Sequence, residues 1–158
     1  MLPEPIREKY ILVIAGGGGW LNSDIYSFVK EAGLENRVKF LGHVEDHDLP
    51  TLYSGCEVFV YPSLYEGFGF PVLEAMACGV PVITSRVSSL PEVADDAAVL
   101  IDPYDIISIR DAMMETLTDK NKNIELREKG LKRVSIFSWT KTAQQTLSLY
   151  ESIVKSYK

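Results

Sequence analysis

The chain has 158 residues, 46% of them hydrophobic and 24% charged, which is ordinary for a globular protein with a buried core. Its formal net charge of −6 argues against a sequence-independent nucleic-acid binder, which needs a basic face. No apolar run approaches the ~20 residues of a membrane span, and no signal-peptide pattern opens the chain. Cys56 and Cys78 lie in apolar contexts and are expected to be buried reduced thiols, which favours a cytoplasmic location.

Apolar runs alternate with helical patterns along the first hundred residues. Residues 10–15 form a continuous apolar run, typical of a strand covered on both faces. Further strands are predicted at 38–41, 58–61, 80–83 and 98–101, and helices at 22–31 and 46–55. This order predicts an α/β fold, a Rossmann-like parallel sheet with helices on both faces. Such a sheet binds ligands beyond the carboxyl ends of its strands.

Glu66 and Glu74 frame a glycine-aromatic loop that opens a helix, and this is the most informative segment of the chain. Pro71 suits the first helical turn and Gly79 suits the C-terminal cap, so a helix is predicted over 71–78. The free N–H groups and the positive end of that helix favour a phosphate above the loop. Carboxylates are good acceptors for sugar hydroxyls. Phosphate together with hydroxyls indicates a nucleotide sugar or a similar ligand.

The rest of the chain is predicted to be helical, at 103–118, 121–134 and 138–157, with Asp102 capping the first of these helices. The last helix carries an apolar stripe that must pack on something, formed by Trp139, Ala143, Leu147, Tyr150, Val154 and Tyr157. No linker, repeat or low-complexity segment interrupts the sequence. One domain over residues 1–158 is therefore predicted.

Two further features have alternative interpretations. Gly16 and Gly17 begin a glycine run that either lines the ligand site or merely turns the chain. The run is neither a Rossmann fingerprint nor a Walker A loop. His43 and His47 lie four residues apart but lack an evident third ligand, so no metal site is predicted.

The segment 66–74 resembles the E-x7-E pattern of the family 4 retaining glycosyltransferases, which have the two-domain GT-B fold. The resemblance continues through 59–65, 75–83, 88–93 and 95–102. It implies the C-terminal, donor-binding domain of an enzyme that moves a hexose from a nucleoside-diphosphate sugar to an acceptor hydroxyl. Residues 19–24 faintly resemble mannosyltransferases that use GDP-mannose to build surface polysaccharides, and UDP-glucose is the other candidate donor.

The same resemblance implies roles for individual residues. Glu66 would hold hydroxyls of the donor sugar and is the nearest to a catalytic residue, and Glu74 would accept hydrogen bonds from the ribose. Val44 would frame the nucleobase. The sugar and diphosphate would meet backbone amides at Gly67, Phe68, Gly69, Phe70, Val72 and Leu73. No metal or other cofactor is implied, because the nucleotide sugar is a substrate.

The residues alone leave simpler interpretations open. Glu66 is also compatible with a solvated loop charge, and Glu74 with an exposed first-turn residue that favours the helix dipole. Phe68 and Phe70 are expected to pack the loop rather than stack on a base.

One element of the family is missing from this sequence. Members carry, just upstream of the strand at 10–15, another strand and a loop whose Arg and Lys bind the diphosphate. Arg7, Lys9 and Arg86 are the candidate substitutes. The resemblance therefore implies a truncated fragment of a two-domain enzyme, inactive alone, whose N-terminal domain lies in the same chain or in a partner chain.

Two expectations follow from this implied fragment. The final helix would be weakly anchored, because the last helix of GT-B enzymes crosses to the other domain. Contact with a membrane would come only through the parent enzyme. The alternatives are a stand-alone, non-catalytic nucleotide-binding module and the donor subunit of a two-chain transferase.

Overall fold

The computed structural model describes residues 2–17 and 23–157. The chain divides into two compact units, Met1–Gly55 and Cys56–Lys158. In both units parallel strands alternate with helices, which confirms the predicted fold class. The single domain expected from the sequence stays a prediction.

The described residues of the first unit form two parallel strands and three helices. In chain order its elements are α1 (Glu4–Lys9), β1 (Leu12–Ala15), α2 (Ser23–Glu31), β2 (Val38–Gly42) and α3 (Leu49–Ser54). β1 pairs with β2 so that Leu12 lies opposite Val38. The ring of Tyr26 on α2 packs on the ring of Phe40 on β2, with 4.3 Å between their centroids.

The sequence did not predict α1, and it overestimated the burial of β1. Glu4 in the first turn and Lys9 in the last turn suit the dipole of this short helix. In β1, Leu12 is 47% exposed, so the prediction of a strand covered on both faces is wrong for the described residues of this unit. An apolar run shows only that side chains are suited to burial, whereas the cover has to come from neighbouring elements.

The second unit is built on three parallel strands in the order β3-β4-β5. Its elements are β3 (Phe59–Tyr61), α4 (Phe70–Ala77), β4 (Val82–Ser85), α5 (Leu90–Ala94), β5 (Ala98–Ile101), α6 (Ile106–Thr118), α7 (Lys120–Val134) and α8 (Trp139–Ser156). A short 3-10 helix, Asp95–Ala97, joins α5 to β5. The helices predicted at 71–78 and 121–134 and the strand predicted at 98–101 are confirmed to within one residue.

The core of this unit is centred on β4, whose four residues are all buried. Ile83 of β4 packs with Ile101 of β5 and Ala112 of α6. Val72 and Met76 of α4 are completely buried as well. Each aliphatic side chain removed from water in this way contributes about 1.5–3 kcal/mol, so the elements that flank the Glu66–Glu74 segment are firmly held.

Two arginines of α7 bind the carboxyl ends of other helices. Arg127 Nη1 donates to the carbonyl of Gly79, just beyond α4, over 2.9 Å. Arg133 Nε donates to the carbonyl of Val93 in α5 over 3.0 Å, and Arg133 Nη2 donates to the carbonyl of Glu92. Gly79 lies beyond α4, and Glu92 and Val93 lie near the end of α5, where helix carbonyls commonly need donors from outside the helix, and the guanidinium groups supply them.

The predicted start of α6 needs correction. The helix begins at Ile106, and its cap is Asp105, whose carboxylate accepts from the amide of Ile107 over 2.8 Å. Asp102 instead accepts from the amide of Tyr104 over 3.0 Å, while its carbonyl accepts from the amide of Asp105. Asp102 therefore stabilises a turn before the helix, because an aspartate suits both positions and the sequence does not distinguish them.

The final helix, α8, has no buried residue. Trp139 stacks on Phe70, with 5.8 Å between ring centroids, yet it is 77% exposed. Within the residues that the structure describes, the apolar stripe therefore packs on another element at Trp139, whereas Leu147, Tyr150, Val154 and Tyr157 stay exposed. Neither α8 nor any other helix of the described ranges combines the length and the apolar character that crossing a membrane requires.

Candidate functional site

The loop between β3 and α4 places Glu66 beyond the carboxyl end of β3, where parallel sheets bind their ligands. One carboxylate oxygen of Glu66, Oε1, accepts two hydrogen bonds. The hydroxyl of Tyr61 donates to it over 2.5 Å, and Ser63 Oγ donates over 2.8 Å. Glu66 is half-buried, so it is not the freely solvated loop charge that the sequence also allowed.

The backbone of the loop is held by two consecutive serines that precede α5. Ser88 Oγ donates to the carbonyl of Glu66 over 2.6 Å and accepts from the amide of Glu66 over 3.1 Å. Ser89 Oγ lies 3.0 Å from the same carbonyl and 2.9 Å from the carbonyl of Phe68. A segment without regular secondary structure is thereby fixed at three backbone groups.

The two glycines of the loop differ in what the fold demands of them. Gly69 has φ +108°, and a Cβ atom there would lie 2.7 Å from Leu90 Cδ2, so both backbone and packing require glycine. A Cβ atom on Gly67 would meet no atom within 4 Å. The space above Gly67 is open, as it would be for a backbone that a ligand approaches closely.

The first turn of α4 follows directly, with Gly69 as the residue before the helix. The side chains of Val72 and Leu73 are buried, and the amide of Val72 donates to the carbonyl of Gly69 over 3.1 Å. That amide is thus already engaged within the first turn. The rings of Phe68 and Phe70 pack on each other at 4.8 Å between centroids, while the prediction that they do not stack on a base stays a prediction.

The two carboxylates act together on the hydroxyl of Tyr61. Burial, the hydrogen bond to Glu66, the charge of Glu66 and the charge of Glu74, in that order of importance, together raise the pKa of Tyr61 to about 12. Tyr61 therefore stays protonated and donates over the whole physiological range. Two carboxylates in one region disfavour direct phosphate contact there but suit the hydroxyl groups of a sugar.

The remaining candidates lie in the first unit. Val44 is half-buried in the connection between β2 and α3. Gly16 and Gly17 follow β1, and the amide of Gly16 donates to the carbonyl of Gly42 over 2.8 Å. The remainder of the glycine run and residues 19–22 lie outside the described residues. Convergence of these candidates with Glu66 on one cleft stays a prediction.

The three candidate cations are distributed between both units. Arg7 and Lys9 lie on α1, and Lys9 sits over the ring of Tyr10, with 4.7 Å from its nitrogen to the ring centroid. Arg86 follows β4 and pairs with Asp102 over 2.5 Å. The side chain of Arg86 is 61% exposed and that of Asp102 is 30% exposed, so Arg86 remains accessible to an anion.

Sequence reasoning assigned no role to the residues that hold Glu66. Tyr61, Ser63, Ser88 and Ser89 all fall within segments that carry the family resemblance, yet no local pattern reveals their contacts. Ser88 acts across 22 residues of sequence, which only the parallel pairing of β3 with β4 brings together. The one available signal was the Ser-Ser pair immediately before an Leu-Pro-Glu helix start.

Comparison with known proteins identifies the class. The family model described as "Glycosyl transferases group 1" matches residues 1–133, and the chain belongs to this family. O-antigen chain mannosyltransferase B of Escherichia coli is 41% identical over 151 residues, which are 96% of this chain and 40% of that protein. The chain therefore spans well under half of the length of this relative.

Two solved structures share the fold. Sucrose-phosphate synthase from Thermosynechococcus elongatus superposes with a TM-score of 0.80 at 34% identity, over 92% of this chain and 39% of that one. HepE of Anabaena, solved in complex with UDP and glucose, gives a TM-score of 0.80 at 25% identity, over 90% of this chain and 40% of that one. The fold is that of the C-terminal domain of GT-B glycosyltransferases.

Proposed function

We propose that this chain is the donor-binding domain of a retaining glycosyltransferase that moves a hexose from a nucleoside-diphosphate sugar to an acceptor hydroxyl. The observation that carries the proposal is the fixed carboxylate of Glu66 beside the open backbone of Gly67 and the start of α4. Carboxylate, approachable backbone and helix N-terminus together offer what a sugar diphosphate needs.

Each part of the donor has a proposed contact. Glu66 accepts hydrogen bonds from the sugar hydroxyls through the carboxylate that Tyr61 and Ser63 orient. The amides of residues 67–70 and that of Leu73 face the sugar and the diphosphate, whereas the Val72 amide donates to the carbonyl of Gly69. Glu74, exposed on α4, accepts from the ribose, and Val44 frames the base. Gly16 and Gly17 complete the site.

We propose a mannosyl donor such as GDP-mannose, with UDP-glucose as the second candidate. The name of the Escherichia coli relative supports the first, and the ligands of HepE support the second. Binding is proposed to need no metal, so a chelator should leave the affinity unchanged. We further propose a cytoplasmic location and a role in polysaccharide biosynthesis, the latter from the same mannosyltransferase relative.

The proposal is tested by calorimetric titration of the 158-residue protein with GDP, GDP-mannose, UDP and UDP-glucose. A bound ligand at about 100 times its Kd would also add about 2.7 kcal/mol to the free energy of unfolding. Glu74→Ala should weaken every nucleotide about tenfold, since it removes a charge-assisted hydrogen bond to the ribose. Glu66→Gln should weaken only the sugar-carrying forms.

The matched control is Glu128→Ala, which removes an exposed glutamate from α7 and should leave all four affinities unchanged. If none of the four ligands binds, the proposal is contradicted. If the nucleotides bind and the nucleotide sugars bind with no higher affinity, the result would instead favour a nucleotide-binding module that performs no transfer.

A further inference from the structure

We propose that Ser88 and Tyr61 are positioning residues for Glu66. Ser88 holds the backbone of Glu66, and Tyr61 holds the carboxylate of Glu66. Together they hold the carboxylate in one orientation before a donor arrives. This inference rests on the proposed function of Glu66 as the group that binds the donor sugar.

The backbone of Ser88 is the first observation. Its φ of +59° lies in the left-handed region, which is unfavourable for a residue with a Cβ atom. Within the described residues, Asp95 is the one other non-glycine residue with positive φ. Glycine would adopt this conformation freely. A serine that bears the strain indicates that its hydroxyl is needed there.

The contacts of that hydroxyl are the second observation. Ser88 Oγ bridges the carbonyl and the amide of Glu66, at 2.6 and 3.1 Å, so it restricts both torsions that orient the residue. Ser88 is exposed, so its hydroxyl fills no core cavity. The neighbouring Ser89 reaches the same carbonyl and that of Phe68, which continues the restraint along the loop.

The side chain of Glu66 is restrained separately. Tyr61 lies at the end of β3, where its carbonyl accepts from Thr84 Oγ1 of the fully buried β4 over 3.0 Å. From this rigid base its hydroxyl donates to Oε1, as does that of Ser63. Both donors bind the same oxygen, so the orientation of the carboxylate plane is set by the protein.

Preorganisation of this kind predicts a specific effect on binding. A flexible Glu66 must lose its freedom when the sugar binds, whereas a fixed one has already lost it. Loss of either restraint should therefore weaken the contribution of the sugar and leave that of the nucleotide unchanged. A residue needed only for folding would change both together.

The first test compares the affinities for GDP and GDP-mannose, or for UDP and UDP-glucose if the calorimetric titration shows tighter binding of the uridine pair. We expect Ser88→Gly and Tyr61→Phe to reduce the affinity ratio of sugar form to nucleotide about tenfold, as loss of one well-placed hydrogen bond would. Asp95→Gly is the control, because it relieves the other positive-φ position and loses only a contact to Arg133 rather than one to Glu66, and it should leave the ratio unchanged.

The second test needs no ligand. The ultraviolet absorbance of tyrosinate, with Tyr61→Phe as the reference, measures the pKa of Tyr61. Glu66→Gln should move this pKa from about 12 toward the ordinary value, because it removes the acceptor charge. Ser88→Gly should move it in the same direction, since the released carboxylate no longer stays beside the hydroxyl, whereas Asp95→Gly should not.

The outcomes separate the two proposals. An unchanged affinity ratio in both Ser88→Gly and Tyr61→Phe, beside a reduced ratio in Glu66→Gln, would overturn the positioning role and leave the proposed function intact. An unchanged ratio in Glu66→Gln itself would overturn the proposed function. An unchanged pKa of Tyr61 in Ser88→Gly would overturn the restraint by Ser88 whatever ligand the site binds.

Discussion

The two longest helices of the second unit, α7 and α8, follow one another in the chain and are anchored in opposite ways. α7 has 15 residues and is largely polar, yet it buries Leu126 and Gly130 and binds the ends of α4 and α5. α8 has 18 residues and a continuous apolar face, yet none of its residues is buried.

This difference shows that an apolar pattern and burial are separate properties. α7 is held by a few well-placed contacts: Gly130 lies so close to α4 that a Cβ atom would be 3.2 Å from Met76 Cγ, and two arginines satisfy carbonyls at helix ends. α8 offers more apolar surface but contacts the described residues mainly through the stacking of Trp139 on Phe70. The following predictions test how far this contrast holds in solution.

The largest expected difference is in hydrogen exchange. Amides of α7 and of the buried β4 should exchange only through openings that approach global unfolding, which in domains of this size requires about 5–15 kcal/mol. Amides of α8 should exchange through local opening at far lower free energy, because no buried contact is lost. Exchange mass spectrometry measures both, and equal protection of residues 138–157 and β4 would refute the contrast.

A leucine pair provides the next test. Leu126 in α7 is 6% exposed, whereas Leu147 in α8 is 59% exposed. Leu126→Ala should lower the free energy of unfolding by about 2–5 kcal/mol, because it leaves a cavity. Leu147→Ala should change it by less than about 0.5 kcal/mol. Urea denaturation measures both, and a cost for Leu147→Ala near that of Leu126→Ala would mean that α8 is packed in solution.

The arginine contacts should contribute less than the core. Arg133→Ala leaves the carbonyls of Glu92 and Val93 without their donors, at an expected cost of about 1–3 kcal/mol. Lys132→Ala is the control, because this neighbouring side chain is exposed, and it should be nearly neutral. Thermal denaturation compares the two, and similar melting temperatures would show that water satisfies these carbonyls equally well.

These contrasts explain which parts of the structure the sequence predicted. α4 and β5 were predicted to within one residue, because Pro71, Gly79 and a short apolar run are local signals. The cap of α6 was wrong because two aspartates, Asp102 and Asp105, both suit it. The exposure of β1 and α8 depends on neighbouring elements, which no local pattern records.

The candidate site shows the same distinction between local signals and contacts that depend on neighbouring elements. Glu66 and Gly67 belong to one contiguous segment, so a local pattern indicated the kind of ligand and the family resemblance of that pattern implied the roles of both residues. The hydroxyls that hold Glu66 come from Tyr61, in the preceding strand, and from Ser88, beyond the next one. Such long-range contacts depend on strand pairing, and a single sequence does not specify which hydroxyl meets which backbone group.

The smallest effect is expected from the ion pairs of α7. Lys129 Nζ lies 2.8 Å from Glu125 Oε1 and 3.0 Å from Asp96 Oδ2. The hydrogen bond from Lys129 lowers the pKa of the Asp96 carboxyl, and the hydrogen bonds to Glu125 and Asp96 raise the pKa of Lys129. All three groups are solvated, so screening should make the contribution small.

The sign of the pH dependence of this contribution to stability follows from the two pKa shifts. Because the pKa of Asp96 is lowered in the folded state, its contribution is present above the ordinary value of 3.8 and disappears as the pH falls below it. The contribution of Lys129 is present below its ordinary pKa of 10.5 and disappears at higher pH. Lys129→Met should therefore lower the melting temperature slightly at neutral pH and low salt, but not at 1 M salt or at a pH well below 3.8, where Asp96 is protonated in the folded state as well. Lys155→Met in α8 is the control, and an equal salt-sensitive loss there would show that α8 forms ion pairs in solution that match those of α7.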